Sequence, residues 1–504
     1  MGKNDRLFVA SIIALVTTSF GFVVRAFLLT EWGVLFNLTE TQKGALQGAG
    51  LFPFALSIIF FSLFIDRLGY GRAMVFAWVG HVVSAVVCMT AHSYAQLYVG
   101  TLIFALANGV VEAVVNPVVA TLYPRDKVRH LNLLHSGWAG GFVLGGMLFI
   151  AMGATSWQFK IGLFLLPTFI YGAMMLGCRF PVQERVRAGV SYRDMLGEFG
   201  WAGCLIVSYF MAEAIDAVGN GMFNASLPNA AIWLITLVPT AIFAAKVRRF
   251  GRPMFIFLLL IMILSATTEL GTDSWVSDLL TPVLRGLGSN AGSWVLVYTS
   301  AIMLVLRIFG AGPLVRALSP VGLLAICSLL AAAGLFLLAH AGAAAGVVFV
   351  AATLYGIGKS FFWPTTLGVV SEQFPRGGAL TLNAMGGMGM IAVGVLGVPL
   401  LGTLQDQKLD HSVMSALPAL HAQVAEPSRT TDFIHYQPLD KRKIAALPPD
   451  ERAAIEQVIA DNKQLTLARF AVLPMLMALG FAILLGWFAG RGGYKPVGIG
   501  SDGH

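Results

Sequence analysis

The chain has 504 residues, of which 57% are hydrophobic and only 12% are charged, and its mean hydropathy is +0.78. Soluble proteins carry about 25% charged residues, so this composition excludes a soluble globular protein and indicates a polytopic membrane protein. The net charge of +8 does not indicate a nucleic-acid partner, because the Lys and Arg residues lie in alternate short loops, as in membrane proteins.

Apolar segments recur along the chain, and each is long enough to cross about 30 Å of hydrocarbon as a helix. The first six form an N-terminal bundle within 1–179, at about 7–30, 45–65, 73–91, 95–121, 131–153 and 157–178. The region 180–250 is a cytoplasmic linker with two additional spans, at about 199–217 and 229–246. The C-terminal bundle takes five helices from 251–404 and its last from 467–490, at about 252–281, 292–312, 319–340, 344–368, 378–404 and 467–490.

The basic loops fall on one side of the membrane only if every segment crosses it. This alternation predicts fourteen spans, with both termini and the tail 491–504 in the cytoplasm. The alternative is twelve spans, with the middle pair re-entrant or lying along the membrane interface. We expect an integral membrane protein of the bacterial inner membrane, surrounded by lipid and monomeric.

Residues 405–466 form the one substantial soluble segment, and the alternation places it outside the cytoplasm. Its early part contains Pro and Ser and is predicted to be a loop. The stretch LPPDERAAIEQVIADNKQ predicts a short amphipathic helix, because prolines precede it and acidic residues lie in its first turn. A passive insertion and a lid over the pore are both compatible with this pattern.

The loop DRLGYGR, between the second and third segments, is a candidate gating element formed by Asp66, Arg67, Gly69 and Arg72. The carboxylate can cap or pair at a helix end, and the glycines permit a tight turn. The two arginines can then hold helix ends together on the cytoplasmic face. A degenerate counterpart, RIFGAGPLVRALSP, occupies the same place in the second half, which favours two repeats facing each other across a cavity.

The segment at 95–121 carries three polar residues, Asn108, Glu112 and Asn116, spaced four apart and therefore on one helix face. Such a stripe is expected to face a cavity, since lipid would leave the amides and the carboxyl without partners. Glu112 is therefore a candidate functional residue of the cavity; the alternative is a protonated structural residue.

A second pair of carboxylates, Glu269 and Asp273, lies one helical turn apart in the 252–281 segment, beside Trp275. Two acids on one face favour retention of a proton, so both are candidates for proton coupling. They are equally compatible with a position at the outer water interface.

The 131–153 segment contributes Asn132, His135 and Trp138. Amides suit sugar hydroxyls, and an indole offers a flat apolar face for a pyranose ring. His135 is equally compatible with a buried structural histidine. The candidate substrate-binding residues are Arg25, Asn108, Asn116, Asn132, His135, Trp138, Trp275, Lys359, Trp363 and Asn383.

Two of these candidates, Arg25 and Lys359, are cations inside predicted spans. Charge within a membrane requires a compensating group. Each cation can pair internally with Glu112, Glu269 or Asp273, or one of them can bind an anionic substrate such as a sugar acid.

Several motifs resemble those of a known family. DRLGYGR resembles the D-R-x-G-R-[RK] loop of the major facilitator superfamily, with one additional residue. VVEAVVNPVVATLYP followed by VRHLNLLHS is similar to the Glu-x-x-x-Asn-Pro and Arg-x-Leu-Asn-Leu pattern of its fucose:proton symporter family, and GTDSW and FWPT match further segments. The resemblance implies an all-α major facilitator fold with two six-helix bundles, here with two extra central spans. It also implies proton-coupled sugar uptake through Glu112, although Arg25 lies near the place of the family's first-helix carboxylate.

The sequence therefore predicts a secondary active transporter that takes up a monosaccharide or small glycoside with a proton by alternating access. The alternatives are a transporter of an anionic sugar derivative or organic anion, recognised by Arg25 or Lys359, and a non-transporting receptor that uses the outer loop. No arrangement of catalytic residues, metal ligands or phosphate-binding loop points to an enzyme. No cofactor or metal is expected, and the driving force is the proton gradient.

Overall fold

The computed structural model describes residues 2–499 apart from 37, 39, 154, 224, 282–283, 285, 287–290, 343, 431–434 and 464. Within these residues, fourteen helices are long and apolar enough to cross a membrane, which is the number that the loop charges predict. The middle pair, Tyr192–Ala217 and Asn229–Val247, has the length of a span in both members, which favours fourteen spans over twelve. We number these helices as spans 1 to 14 in chain order.

Spans 1 to 6 pack together as an N-terminal bundle, in which span 1 contacts spans 5 and 6, and span 4 contacts spans 2 and 3. Span 2 is broken after its first two turns, and span 6 is broken near its middle. Span 1 is Lys3–Leu35, and span 2 is Glu40–Gly48 with Phe52–Leu68. Spans 3, 4 and 5 are Tyr70–Met89, Tyr94–Leu122 and Lys127–Ala151, and span 6 is Trp157–Gly162 with Leu165–Met175. The linker that follows contains the short helix Glu184–Arg187.

Spans 9 to 14 form the C-terminal bundle. Spans 9, 10 and 13 each contain a π-helical turn, at Thr267–Gly271, Leu306–Gly310 and Ala392–Gly397. Span 9 consists of Pro253–Ala266, Thr267–Gly271 and Thr272–Leu280. Span 10 consists of Ala291–Val305, Leu306–Gly310 and Ala311–Leu318. Spans 11 and 12 are Pro320–His340 and Ala345–Lys359 with Phe362–Gln373. A 3-10 turn, Pro375–Gly377, precedes span 13, which is Gly378–Ile391 with Ala392–Gly397; span 14 is Val472–Ala489.

The two bundles meet where span 2 packs against span 13 and where span 5 packs against spans 10 and 12. Glycines allow these helices to approach closely. A Cβ added to Gly387 would lie 2.5 Å from Cγ1 of Ile59, and one added to Gly368 would lie 2.6 Å from Cγ2 of Val128. Small residues are the usual means of close helix packing in membranes.

The start of span 1 and the end of span 14 lie on one face of the molecule, called here the terminal face. Arg6 Nη2 donates to the Leu176 carbonyl at the end of span 6, at 2.8 Å. Tyr494 Oη donates to Glu372 Oε2 at the end of span 12, at 2.7 Å. Both ends of the chain are therefore tied to helix ends on the same face.

The extra pair, spans 7 and 8, packs on itself, on span 13 and on the first part of span 2. Helix Tyr192–Phe223 is sharply bent at Gly200, whose φ is +68°. A Cβ at this position would lie 2.1 Å from the Phe250 carbonyl oxygen, because the segment after span 8 crosses here. Trp201 N–H donates to the Arg249 carbonyl at 3.0 Å across this crossing.

The segment between spans 13 and 14 folds around a small apolar core of its own. Its elements are Val398–Ala416, Pro418–Val424, strands Arg429–Thr430 and His435–Tyr436, Lys441–Ala446, Pro449–Lys463 and Thr466–Phe470. The prediction of the Pro449–Lys463 helix agrees with this structure, whereas the prediction of a loop before it was wrong. Leu409, Val413, Leu417, Leu420 and Val424 recur every three or four residues, which is the helical period.

Replacement of Gly200 by Ala is expected to lower the apparent unfolding temperature markedly. The new Cβ meets backbone atoms that cannot move without separating span 7 from the segment after span 8. Gly189 is the matched control, since its φ is +70° but a Cβ there has no neighbour within 4 Å. Gly189→Ala should lower the free energy of unfolding by about 1–2 kcal/mol, which is the cost of the left-handed conformation for a residue with a Cβ. Equal destabilisation by the two variants, measured by thermal unfolding in detergent, would contradict the proposed steric role.

Candidate functional site

A cavity of about 630 Å³ lies between the two bundles. The cavity reaches Gly153, just after the end of span 5, and Thr281, just after the end of span 9. Both of these span ends lie on the side of the molecule opposite the terminal face. On the terminal side, cross-bundle hydrogen bonds close the interface. The protein is therefore in a conformation whose cavity faces away from the terminal face.

The cavity has two chemically different walls. The N-terminal bundle contributes aromatic rings, and the C-terminal bundle contributes hydroxyl groups and one carboxylate. The aromatic wall consists of Phe22, Phe27, Trp138, Phe142 and Phe149; the polar wall consists of Asp273, Ser274, Ser277, Thr281 and Ser293. Such a cavity suits a ligand with one apolar face and several hydroxyl groups.

Trp138, Leu270 and Met390 form the floor of the cavity and also line a small void beneath it. The void is further lined by Glu112, His135, Glu269, Arg307 and Trp363. The floor therefore separates the cavity from a buried cluster of charged side chains, called here the charge cluster and defined as Glu112, His135, Glu269, Asp273, Arg307 and Lys359.

Arg307 is the centre of the charge cluster and is only 1% exposed. Its Nη2 donates to Glu269 Oε1 at 3.2 Å, and its Nε donates to the Ser360 carbonyl at 2.6 Å. Its Nη1 donates to the His135 carbonyl at 2.9 Å, and His135 belongs to the other bundle. Arg307 thus joins an ion pair inside one bundle to the backbone of the other.

Both members of this ion pair lie in π-helical turns, Glu269 in Thr267–Gly271 and Arg307 in Leu306–Gly310. A π turn inserts an extra residue and redirects the side chains that follow, and such turns occur frequently at functional sites. Tyr355 Oη donates to the Thr268 carbonyl at 2.9 Å, which satisfies a backbone group within the widened turn.

Glu112 lies in the opposite bundle and is held by a short relay of hydrogen bonds. His135 Nε2 donates to Asn116 Oδ1 at 2.9 Å, and Asn116 Nδ2 donates to Glu112 Oε2 at 2.5 Å. His135 Nε2 also lies 4.0 Å from Glu112 Oε2. Glu112 and Asn116 thus share a network, as their spacing of four residues predicts.

Lys359 and Asp273 form the second buried ion pair, with Nζ and Oδ1 at 2.5 Å. Lys359 is fully buried, whereas Asp273 also lines the large cavity. The internal partner that the sequence analysis considered for Lys359 is therefore Asp273. A ligand in the cavity meets the carboxylate of this pair and not the ammonium group.

The charge cluster is neutral with a single proton. Three carboxyl groups (Glu112, Glu269 and Asp273) face two cations, Arg307 and Lys359, so one added proton, on a carboxyl group or on His135, balances the charges. Glu269 Oε2 is buried and has no hydrogen-bond partner among the described residues. Burial of an uncompensated charge is costly in a membrane, which favours the protonated form of one acid.

Most of the predicted substrate-binding residues lie outside the large cavity. Of the ten, only Trp138 lines it, and Trp363 and His135 line the void below. Asn132 Nδ2 donates to Thr365 Oγ1 at 3.0 Å, and Asn383 Nδ2 donates to the Ala113 carbonyl at 3.0 Å. Both amides therefore join the two bundles on the closed side of the molecule.

Asn108 lies away from the cavity, inside the N-terminal bundle, where its Oδ1 is 2.8 Å from His81 Nε2. Trp275 is half-buried among apolar neighbours and lines neither the cavity nor the void. Arg25 pairs with none of the three acids proposed for it. Its Nη2 donates to Ser84 Oγ at 2.9 Å, and its guanidinium stacks 3.7 Å from the Phe104 ring.

The predicted gating loop lies on the terminal face. Gly69 makes the turn between spans 2 and 3 with a φ of +87°, and Asp66 forms an ion pair with Arg185 of the linker. Arg67 lies over the Tyr192 ring, 5.4 Å from its centroid, while Arg72 is exposed.

The linker continues this closure toward the other bundle. Lys127 Nζ lies 2.7 Å from Glu184 Oε2 and 3.3 Å from the Ser371 carbonyl at the end of span 12. A Cβ added to Gly378 would lie 3.2 Å from Arg185 Nε. The short helix Glu184–Arg187 is thus wedged between the two bundles.

Sequence reasoning placed Arg307 within the predicted 292–312 span but did not identify it as a site residue, because RIFGAGPLVRALSP was considered only as a counterpart of the DRLGYGR loop. Arg307 lies within span 10, in agreement with the predicted segment, and the turn comes at Ser319, where φ is +60°. Ser319 Oγ accepts a hydrogen bond from Gly322 N–H and caps span 11. The serine–proline step was the available signal for the true helix boundary.

Removal of Lys359 alone is expected to destabilise the protein by about 3–5 kcal/mol, because Asp273 loses its buried partner. In the double variant Lys359→Met, Asp273→Leu most of that loss should be recovered, since no lone charge remains. Lys127→Met is the control, because its partner Glu184 is partly exposed. Thermal unfolding in detergent ranks the stabilities of the three variants. A double variant less stable than the variant that lacks only Lys359 would refute the pairing of Lys359 with Asp273.

Solved structures of transporters share this fold. A bacterial homologue of the human lysosomal transporter Spinster, in an inward-facing conformation, is 14% identical; the match covers 99% of this chain and 100% of that one, with a TM-score of 0.62. The human organic anion transporter MFSD10 is 13% identical, with coverage of 95% and 100% and a TM-score of 0.59. The E. coli fucose:proton symporter FucP is 16% identical, with coverage of 93% and 98% and a TM-score of 0.53.

No protein-family model matches the sequence, and no curated protein matches it either. At 13–16% identity, the structural similarity identifies the fold and leaves the substrate open. FucP is a transporter of the major facilitator superfamily. The predicted architecture is confirmed: the chain has the fold of that superfamily, with two six-helix bundles and two additional spans.

Proposed function

We propose that the protein is a secondary active transporter that moves a small sugar-like solute together with a proton by alternating access. The observation that carries this proposal is the position of the charge cluster, directly beneath the cavity floor and across the interface of the two bundles. The transporters named above, one of them a fucose:proton symporter, have the same fold.

The walls of the cavity support a neutral polyhydroxy substrate with an apolar face. Serine and threonine hydroxyls on the polar wall can exchange hydrogen bonds with sugar hydroxyls. Trp138 and the phenylalanines opposite offer aromatic surface to an apolar ring face. Lys359 is already neutralised by Asp273, so it does not support recognition of an anion.

Arg307 supplies a physical link between protonation and opening. With Glu112 protonated, the cluster is neutral and Arg307 remains bonded to Glu269 and to the His135 carbonyl. Loss of that proton leaves an additional negative charge beside Arg307. The guanidinium is then drawn toward Glu112, which belongs to the same bundle as His135, so a charge-assisted contact across the interface replaces the bond to the His135 carbonyl and tightens the closed side.

We further propose that the terminal face is cytoplasmic, in a bacterial inner membrane. Basic residues in the short loops favour the cytoplasmic side. The short loops and the adjoining helix ends of the terminal face carry Arg67, Arg72, Arg125, Arg129 and Arg179. In this orientation the cavity of the present conformation faces outward, where a nutrient and protons would enter.

Glu112→Gln is expected to abolish accumulation driven by a proton gradient while exchange of substrate persists, because a permanently neutral side chain mimics the protonated state. Uptake into proteoliposomes, with and without an inward proton gradient, provides the measurement, using a panel of neutral sugars, sugar acids and sugar phosphates. Glu269→Gln is the matched variant for the second acid. Accumulation by Glu112→Gln equal to that of the wild type would refute its role.

Trp138→Ala is expected to raise the KM for the transported solute about tenfold, which corresponds to a loss of about 1.4 kcal/mol of aromatic contact. Trp275→Ala is the control, since that indole does not line the cavity. Its KM should remain that of the wild type. A higher KM for Trp275→Ala than for Trp138→Ala would show that the substrate does not bind against Trp138 in the large cavity.

A further inference from the structure

Two hydroxyl groups on the polar wall of the large cavity use their hydrogen atoms within the protein. Ser274 Oγ donates to the Leu270 carbonyl at 2.8 Å, and Thr281 Oγ1 donates to the Ser277 carbonyl at 2.7 Å. The direction of both bonds is fixed, because a carbonyl oxygen can only accept. Each hydroxyl keeps its lone pairs, so toward a solute both groups can only accept hydrogen bonds.

Ser277 and Ser293 form a pair with a similar consequence. Their Oγ atoms are 3.0 Å apart, so one of the two hydroxyls donates to the other. The four hydroxyl groups of the polar wall therefore retain one hydrogen atom among them that is not used in these bonds. The polar wall is thus mainly a surface of hydrogen-bond acceptors.

Asp273 adds a carboxylate to this acceptor surface. Its Oδ1 accepts from Lys359 Nζ, and its other carboxylate oxygen has no hydrogen-bond partner among the described residues. Asp273 lines the cavity, whereas Lys359 is fully buried behind it. The ion pair therefore presents the negative end of its dipole to the cavity. The described residues that line the cavity include no Lys, Arg or His.

Asp273 and Ser277 lie one helical turn apart within Thr272–Leu280, so their side chains share one face of span 9. At this spacing the Cβ atoms are about 5–6 Å apart, so a single group between the side chains can donate to both. A primary ammonium group carries three donors and no acceptor, as the lysine side chain does. It therefore matches a carboxylate that lies beside a hydroxyl acceptor.

The opposite wall also favours a cation over an anion. The aromatic rings of the N-terminal bundle have electron-rich faces, which attract an ammonium group. Gln47 lies on the same side of the cavity and can both donate and accept, so it can bind the hydroxyl groups of the solute. An anion, in contrast, would meet acceptors on one wall and ring faces on the other.

We propose that the solute of the large cavity is a hydroxylated amine, such as an amino sugar, whose ammonium group binds Asp273 and Ser277. This inference rests on the proposed function, because it names the class of solute that the same cavity would transport. A neutral sugar can donate its hydroxyl hydrogens to the same acceptors. It lacks the positive charge that strengthens a hydrogen bond to a carboxylate, so the amine is expected to bind more tightly.

Isothermal titration of the purified full-length chain in detergent tests the proposal, at about pH 6, where a primary amine is protonated. The probes are glucose, glucosamine, N-acetylglucosamine and glucuronic acid, together with the same four derivatives of galactose. In at least one series the amine should bind about tenfold more tightly than the parent sugar and the N-acetyl derivative, since its hydrogen bonds are charge-assisted. The uronic acid should bind more weakly than the parent sugar.

Three variants locate the ammonium group. The double variant Asp273→Leu, Lys359→Met leaves no lone charge, and it should bring the affinities for the amine and the parent sugar to about the same value. Ser277→Ala keeps the ion pair and should reduce the preference for the amine several-fold. Asp461→Asn, which neutralises an exposed acid of the outer segment, is the control and should bind as the wild type does.

Equal affinity for the amine and the parent sugar in both series, or absence of amine binding, would overturn the proposal. So would a preference for the amine that persists in the double variant. If that variant does not fold, an undiminished preference in Ser277→Ala would overturn it.

The test separates this inference from the proposed function, because binding is measured without a gradient. Preferential binding of the amine without gradient-driven uptake would refute proton-coupled transport and leave the inference intact. Gradient-driven uptake of a neutral sugar without any preference for the amine would refute the inference and leave the proposed function intact.

Discussion

The constraint on which this structure depends is the neutralisation of charge buried within the spans. Arg307 meets it with Glu269, and Lys359 meets it with Asp273, in both cases through partners on neighbouring helices of the C-terminal bundle. The bond from Arg307 to the His135 carbonyl then carries this electrostatic balance across the interface. The cluster is neutral only with one proton, and the proposed function depends on a link between that proton and the closure of the interface.

The number of spans and the fold class were predictable from sequence, because hydropathy and the alternation of basic loops are properties of single segments. The pairing of Glu112 with Asn116 followed from their spacing on one helix. Partners across helices were not accessible in the same way: Asn132 and Asn383 join the two bundles, a relation set by packing between distant segments. Arg307 was placed in a span but was not recognised as a site residue, because its partner Glu269 lies on another span and its π turn leaves no clear mark in the sequence.

The two bundles contribute differently to the site. The N-terminal bundle provides aromatic surface and the relay from His135 to Glu112, and the C-terminal bundle provides the hydroxyls and both ion pairs. The C-terminal lining also includes apolar side chains, among them Leu296 and Val393, so the hydroxyl groups and Asp273 lie within a partly apolar wall.

Span 13 does not end at the edge of the cavity; it continues through its π-helical turn into helix Val398–Ala416 and so into the folded outer segment. At 1.5 Å per residue, this helical extension is about 28 Å long. A tilt of span 13 by about 10°, transmitted rigidly along this extension, would displace its far end by about 5 Å. A small change of angle at the bundle interface would then become a larger displacement in the segment between spans 13 and 14.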